Sequence, residues 1–371
     1  MVEHDLAKVG VASSSLVSRS KFSFCFILLF FSFSNSLSHK LPLFGVIPIS
    51  YIIVALNFSQ TTNMTSILLL DSRADELRDV LHEAAPDLPL VIGSGEAAQA
   101  QACEIWVGEP DKAAQLLAQG VKPRWLQSTW AGYKPLLAEG LPRDYRLSRA
   151  VGVFGQPIAE YVLAYLLQHE LHLSQRLRSQ QYGEWKKILP GSLFGRRVLI
   201  VGAGDIGREV AAFLQPFGVE LYGVAYSPRE IPMFARVEGL SSLTSAVASA
   251  DYVINILPDT PATTDIYHAG VFAAMKPSAL FINVGRGTAV VDTDLCTALH
   301  EGQIAGAVLD VFRKEPLPGD HPFWRTPNLT ITAHVAGPLV PARLGKLFLD
   351  NLPRFRQGLA LAGEVGFDKS Y

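Results

Sequence analysis

The segment RRVLIVGAGDIGREVAAFLQPFG places Gly202, Gly204 and Gly207 directly behind an apolar run and at the opening of a helix-period one. Gly202 permits a tight turn, Gly204 lets the main chain approach a pyrophosphate, and Gly207 lets helix and strand pack closely; Asp205 and Ile206 lie in the same phosphate-facing turn. Strand, glycines, helix is the context a dinucleotide fingerprint requires, the alternative being a glycine-rich turn with no ligand. Such units usually carry an acid about 20 residues on, which bonds the ribose 2′-hydroxyl. Here the next apolar run, VELYGVA, ends at Ala225 and continues Tyr226-Ser227-Pro228-Arg229. No carboxylate is there to repel a 2′-phosphate, and Ser227 and Arg229 would donate to one, so NADPH is favoured over NADH. The plainer alternative for Arg229 is a solvated loop arginine.

Three ionisable residues follow the ends of later apolar runs: Arg286 after FINV, Glu315 after AVLDVF and His334 after LTIT. In an open parallel sheet the loops beyond the carboxyl ends of the strands surround the ligand crevice, so all three are expected to converge on a nicotinamide. Singly, Arg286 would pair with a phosphate, Glu315 would cap the turn before Pro316, and His334 would be an ordinary loop histidine. Their shared position argues for a site instead.

The elements that must hold these groups are legible as alternation. From Ser66 the chain reads strand SILLLD, a helix over Ala74–Ala84, strand LPLVI, helix, strand EIWVG, helix, the pattern of a parallel sheet covered by helices. This small domain ends near Phe154. Gln156 to Trp185 reads as one long bridging helix with Ile158, Val162, Leu163, Leu166 and Leu167 on one side. Six strands follow, near Val198–Val201, Val219–Val224, Tyr252–Leu257, Leu280–Val284, Ala307–Phe312 and Leu329–Thr332, enough for a complete dinucleotide-binding sheet. Val340–Leu361 is helical again and is expected to return to the first domain. The fold expected is α/β, with a Rossmann-type doubly wound parallel sheet inserted into a smaller flavodoxin-like substrate domain. Its parts are residues 1–63 as a leader or mis-assigned extension, 64–155 as the first part of the substrate domain, 156–338 as the cofactor domain with the bridging helix, and 339–371 as the returning helix.

The 371 residues hold 32 Lys and Arg against 34 Asp and Glu, a formal net charge of −2, which leaves no basic face for nucleic acid. Composition breaks near Met64: Glu3, Asp5, Lys8, Arg19, Lys21 and Lys40 are the only charged side chains before it. The leader therefore accounts for part of the mean hydropathy of +0.23. Its first apolar run, Phe22–Phe33, is short for a membrane span but fits a signal-peptide core, and the second, Leu41–Phe58, is interrupted by Gly45 and Pro48. A start at Met64 is preferred, and a membrane or targeting role would rest on the leader alone. Asn57 and Asn63 head N-x-[ST] triplets, which mean little without secretion. Cys25, Cys103 and Cys296 are too far apart for a disulfide framework and point to a reducing, cytoplasmic compartment.

VGAGDIG, LPDTPATT, FINVGRGTAVVDTDL, GAVLDVFRKEPLP and ITAHVAG, in this order and spacing, resemble the D-isomer-specific 2-hydroxyacid dehydrogenase family over about Met64 to Tyr371. RWLQSTWAG, HPFWRTPN and the Tyr-ending tail are most similar to members that reduce glyoxylate and hydroxypyruvate. The resemblance implies reduction of small 2-oxo acids with NADPH or NADH in a homodimer. Arg286 would hold the substrate carboxylate and carbonyl, His334 would give a proton to the carbonyl oxygen, and Glu315 would pair with His334 and favour its imidazolium. Asp310 would orient the nicotinamide carboxamide, Leu257 and Pro258 would cover the cofactor, and the backbone N–H groups of Trp130, Ala131 and Gly132 would bind the substrate carboxylate. Ala333 stands where the family usually has proline. Tyr133-Lys134 replaces a small apolar residue and an Asp or Asn, which bears on substrate choice.

His169 and His172 in HELH lack the HExxH spacing and a third ligand, so no metal is expected. Cys103 and Cys296 are expected to pack as small hydrophobes, and Trp106, Trp125 and Trp185 as core or interface residues. The competing readings are a dinucleotide-sensing scaffold of the corepressor kind and an NADH-dependent phosphoglycerate-type dehydrogenase. The first is disfavoured by the intact Arg286, Glu315 and His334, the second by the missing acid at Ala225.

Overall fold

Runs that are apolar throughout, such as ILLL and IWVG, become strands buried on both faces, as a parallel sheet between helices requires. The computed structural model describes residues 66–367; the readings on residues 1–63, including Cys25 and the two apolar runs, lie outside the described residues. The chain opens with β1 (Ile67–Leu70), α1 (Ala74–Ala84), β2 (Leu90–Ile92), α2 (Ala97–Gln101) and β3 (Ile105–Gly108). It continues with α3 (Pro110–Ala118), β4 (Trp125–Ser128) and β5 (Arg146–Ser148).

The single helix expected over Gln156–Trp185 is two helices, α4 (Gly155–Glu170) and α5 (Leu173–Gln181), and Trp185 lies beyond both. His172 breaks the axis with φ +52°. The cause is Glu170, whose buried carboxylate accepts from Arg196 Nε at 2.6 Å, Arg196 Nη2 at 3.0 Å and the Tyr252 hydroxyl at 2.6 Å. That cluster pins the end of α4, while α5 buries no residue and so has no packing to keep it on the same axis. The HELH histidines consequently fall on either side of a break: His169 lies edge-to-face with Tyr252, and His172 is the junction itself.

The second half contains β6 (Arg197–Val201), α6 (Asp205–Leu214), β7 (Glu220–Ala225), β8 (Arg236–Gly239), α7 (Leu243–Val247), β9 (Tyr252–Asn255) and α8 (Ala269–Ala274). It ends with β10 (Leu280–Asn283), α9 (Asp292–His300), β11 (Gly306–Leu309), β12 (Leu329–Ile331), α10 (Pro341–Arg356) and β13 (Glu364–Val365).

Two sheets result. The first has the order β13-β5-β4-β3-β1-β2, parallel except for the β13–β5 pair, which is the flavodoxin-like order with one strand added from the chain's end. The second, β12-β11-β10-β9-β6-β7-β8, is parallel throughout and reverses its strand order between β6 and β9. It has seven strands where six were expected. The extra one, β8, reads RVEG: Arg236 and Glu238 pair with each other at 2.9 Å, only Val237 and Gly239 are buried, and so short an edge strand leaves no apolar run. Helix α10 packs on the first sheet, with Phe348 stacked on Trp125 at 5.2 Å and Leu344 and Leu352 in the core that also holds Leu77 and Leu81. This is a two-domain α/β architecture, with the crevice of the second sheet opening at the β6–β9 switch point.

Candidate active site

Gly202 leaves β6 with φ +112°, and a Cβ there would lie 2.9 Å from the Ile256 carbonyl carbon behind β9. A Cβ at Gly207 would sit 2.2 Å from the Gly202 oxygen, so only glycine lets α6 start this close to its strand. Beside Gly204 the space is open to 4 Å. The first N–H groups of α6, from Asp205, Ile206 and Gly207, have no partners within the helix and face a positive dipole end. The Asp205 side chain itself turns to the other domain, where its carboxylate accepts from Gly152 N at 3.0 Å. Only its backbone is left for a phosphate. Arg229, although exposed, folds back so that Nη2 donates to Ala203 O at 2.8 Å, which ties its guanidinium to the glycine loop. Ser227 lies beside it, exposed, and Ala225, where an acid would stand, is buried. An open cradle, free helix N–H groups and a cation where a ribose acid is missing fit a dinucleotide bearing a 2′-phosphate.

Across the switch point, β9 and β10 each end in a buried asparagine, and Asn255 and Asn283 are register partners. Asn255 Nδ2 donates to Asn283 Oδ1 at 2.9 Å; Asn283 in turn accepts from Gly285 N at 3.1 Å and donates to Arg286 O at 3.1 Å. This pair shapes the turn that presents Arg286, and the sequence reading passed over it. The visible clue was a polar residue closing each of two apolar runs, YVIN and LFIN. Gly287 continues the turn so close to the next loop that a Cβ would lie 1.9 Å from the Phe312 carbonyl carbon. Leu257 is buried behind β9, and the Pro258 carbonyl accepts from Thr263 Oγ1 at 2.6 Å.

Arg286 is half-buried, with Nη1 bonded to Gly285 O at 2.7 Å. Its Nη2 lies 2.8 Å from where a Gly132 Cβ would be, so any side chain at 132 would strike the guanidinium. Burial pulls the Arg286 pKa below its ordinary value, and Asp259 and then Glu315 oppose that. Of the loop expected to bind a carboxylate, Trp130 N is already donated to Ser128 Oγ at 3.0 Å. Ala131 and Gly132 keep theirs, with no acceptor among the described contacts.

His334 Nδ1 lies 2.7 Å from Glu315 Oε2, and Glu315 Oε1 accepts from Phe312 N at 2.9 Å, which leaves Nε2 as the outward nitrogen. His334 has φ +54°, a conformation that costs a non-glycine residue about 1 kcal/mol and needs support. Asp310 supplies it. Its carbonyl accepts from His334 N at 2.8 Å; its carboxylate accepts from Val335 N and Ala336 N, each at 2.9 Å, and from Thr332 Oγ1 at 2.5 Å. Tyr161 on α4 joins the chain through Thr332 at 2.7 Å. Asp310, expected to orient the nicotinamide carboxamide, is 2% exposed, and its carboxylate braces the histidine loop through these contacts. Arg313, also passed over, clamps the Glu315 loop by donating to Val290 O at 2.8 Å and pairing with Asp265. Among the described residues no helix is long and apolar enough to cross a membrane.

Residues 163–336 match the family described as D-isomer specific 2-hydroxyacid dehydrogenase, NAD binding domain. The chain is 36% identical over 210 residues to the glyoxylate/hydroxypyruvate reductase A of Serratia proteamaculans, covering 57% of this chain and 67% of the relative. A D-isomer specific 2-hydroxyacid dehydrogenase family protein from Aeromonas salmonicida superposes with a TM-score of 0.77 at 36% identity, covering 82% of this chain and 100% of that one. The NADPH-dependent glyoxylate/hydroxypyruvate reductase of Sinorhizobium meliloti, in complex with NADP and sulfate, gives 0.72 at 26% identity, covering 83% and 100%.

Proposed function

Since the chain belongs to the D-isomer specific 2-hydroxyacid dehydrogenase family and is an NAD(P)-dependent oxidoreductase, we propose that it reduces small 2-oxo acids such as glyoxylate and hydroxypyruvate, with NADPH preferred. The observation that carries this reading is that the Arg286 guanidinium lies against Gly132 and feels the charge of Glu315, which pairs with His334. The guanidinium fork binds the substrate carboxylate and orients the carbonyl, helped by the N–H groups of Ala131 and Gly132. The nicotinamide supplies a hydride to the carbonyl carbon when bound. His334 gives the proton on Nε2 to the carbonyl oxygen, and Glu315 holds Nδ1 so that the ring keeps that aim. In the oxidation direction His334 takes the proton back. Gly202, Gly204, Asp205, Ile206 and Gly207 would hold the pyrophosphate through backbone, Ser227 and Arg229 the 2′-phosphate, and Leu257 and Pro258 would cover the cofactor.

In this reading residues 64–155 and 339–371 form the substrate domain and 156–338 the cofactor domain. We take the compartment to be the cytoplasm, where Cys103 and Cys296 stay as free thiols. A second copy of the chain covers the apolar surface of Leu177, Tyr182, Trp185, Leu189 and Phe194, whose members are more than half exposed. The deciding experiment is a panel of glyoxylate, hydroxypyruvate and larger 2-oxo acids against NADPH and NADH, followed at the reduced-nicotinamide absorbance. Oxidation of NADPH by the two small acids is expected. Silence with every acid would favour a sensing scaffold, and a strong NADH preference would overturn the role given to Ser227 and Arg229.

A further inference from the structure

The substrate loop continues from Gly132 into Tyr133 and Lys134. The Tyr133 side chain is buried, whereas that of Lys134 is largely exposed and reaches across the cleft, with Nζ 2.5 Å from Asp259 Oδ2 on the loop behind Leu257-Pro258. Asp259 Oδ1 accepts from Thr288 Oγ1 at 2.8 Å, two residues past Arg286. Lys134 holds the Asp259 carboxyl below its ordinary value, outweighing burial, so the group is ionised at neutral pH. Of the two carboxylates acting on the Arg286 guanidinium, Asp259 acts more strongly than Glu315.

A carboxylate whose charge acts on Arg286 works against an anionic substrate, because it offsets the attraction of the guanidinium and repels the incoming carboxylate. We propose that Lys134 is a positioning residue for the substrate: by neutralising Asp259 across the cleft it leaves Arg286 available to the carboxylate of a 2-oxo acid. This rests on the function proposed above. It also gives a chemical role to a position at which the sequence departs from the family's usual Asp or Asn.

A mere clasp between the two loops makes different predictions from charge neutralisation, and a double-variant cycle separates them. With glyoxylate at saturating NADPH, Lys134→Met is expected to raise KM roughly tenfold at low ionic strength with kcat within about twofold, the rise shrinking as salt screens the charge. Adding Asp259→Asn should bring KM back to within about threefold of the wild type, since no uncompensated carboxylate remains, and Lys134→Arg alone should behave as the wild type. For a clasp, the double variant would be no better than Lys134→Met, and that result, or an unchanged KM in Lys134→Met, overturns the proposal. The Kd of oxalate by titration calorimetry needs no turnover and should follow the same pattern. An enzyme silent toward every 2-oxo acid would refute the proposed function, while the oxalate cycle would still decide the role of Lys134.

Discussion

His334 combines a left-handed backbone with a side chain fixed on one nitrogen, so its position depends on Asp310 beneath it as well as on Glu315 beside it. His334→Asn keeps a polar side chain that suits the left-handed region but removes the transferable proton; kcat should fall by about 10²–10⁴ while the CD spectrum and Tm stay near wild type. Retained turnover would exclude His334 as the proton donor. Arg229 admits an equally local test. Arg229→Ala should raise KM for NADPH about tenfold or more, as loss of a charge-assisted bond to phosphate implies, and leave KM for NADH within about twofold. Both residues were visible from their order in the sequence. What their neighbours do was not: the donor set on Asp310 comes from residues 332–336, and nothing in LDVF announces that its carboxylate turns inward.

At the scale of elements, the site is a set of strand ends, and its precision comes from close backbone approaches there. Gly287 is the tightest of these. Gly287→Ala would drive a Cβ into the main chain at Phe312, so the turn carrying Arg286 and the loop carrying Glu315 would have to separate. The expected result is a loss of about 2 kcal/mol or more in urea unfolding, together with a raised KM for the 2-oxo acid. An alanine variant with unchanged Cm and KM would show that the turn has slack. Strands rich in buried apolar residues, and the glycine turn between β6 and α6, could be read from local pattern because each declares itself within a few residues. Strand β8 and the break at His172 could not: one is an edge strand of alternating charge, and the other arises from a carboxylate whose partners lie 26 and 82 positions along the chain.

At the scale of the whole molecule, Tyr182, Trp185, Leu189 and Phe194 in the segment after α5 are each more than two thirds exposed. Trp185, fully exposed, is its most prominent member. Trp185→Lys is expected to shift the sedimentation coefficient from dimer toward monomer without loss of secondary structure, since a charge at the centre of an apolar contact is not tolerated. A wild-type protein that sediments as a monomer would remove the second copy from the proposal. By itself the sequence determined the α/β class, the family and the strand–glycine–helix turn of Gly202, Gly204 and Gly207, because glycine spacing and strand–helix alternation are imposed by nearby backbone geometry. The tertiary structure alone decided that Trp130 N is spent on Ser128, that Asp310 serves the histidine loop, and that Lys134 meets Asp259 across the cleft. Those contacts join residues that only the closed fold brings within bonding distance, or choose among donors and acceptors that the sequence leaves equivalent. A side chain's partner is set by which surfaces the packed domains present to it, and a linear pattern carries no record of that.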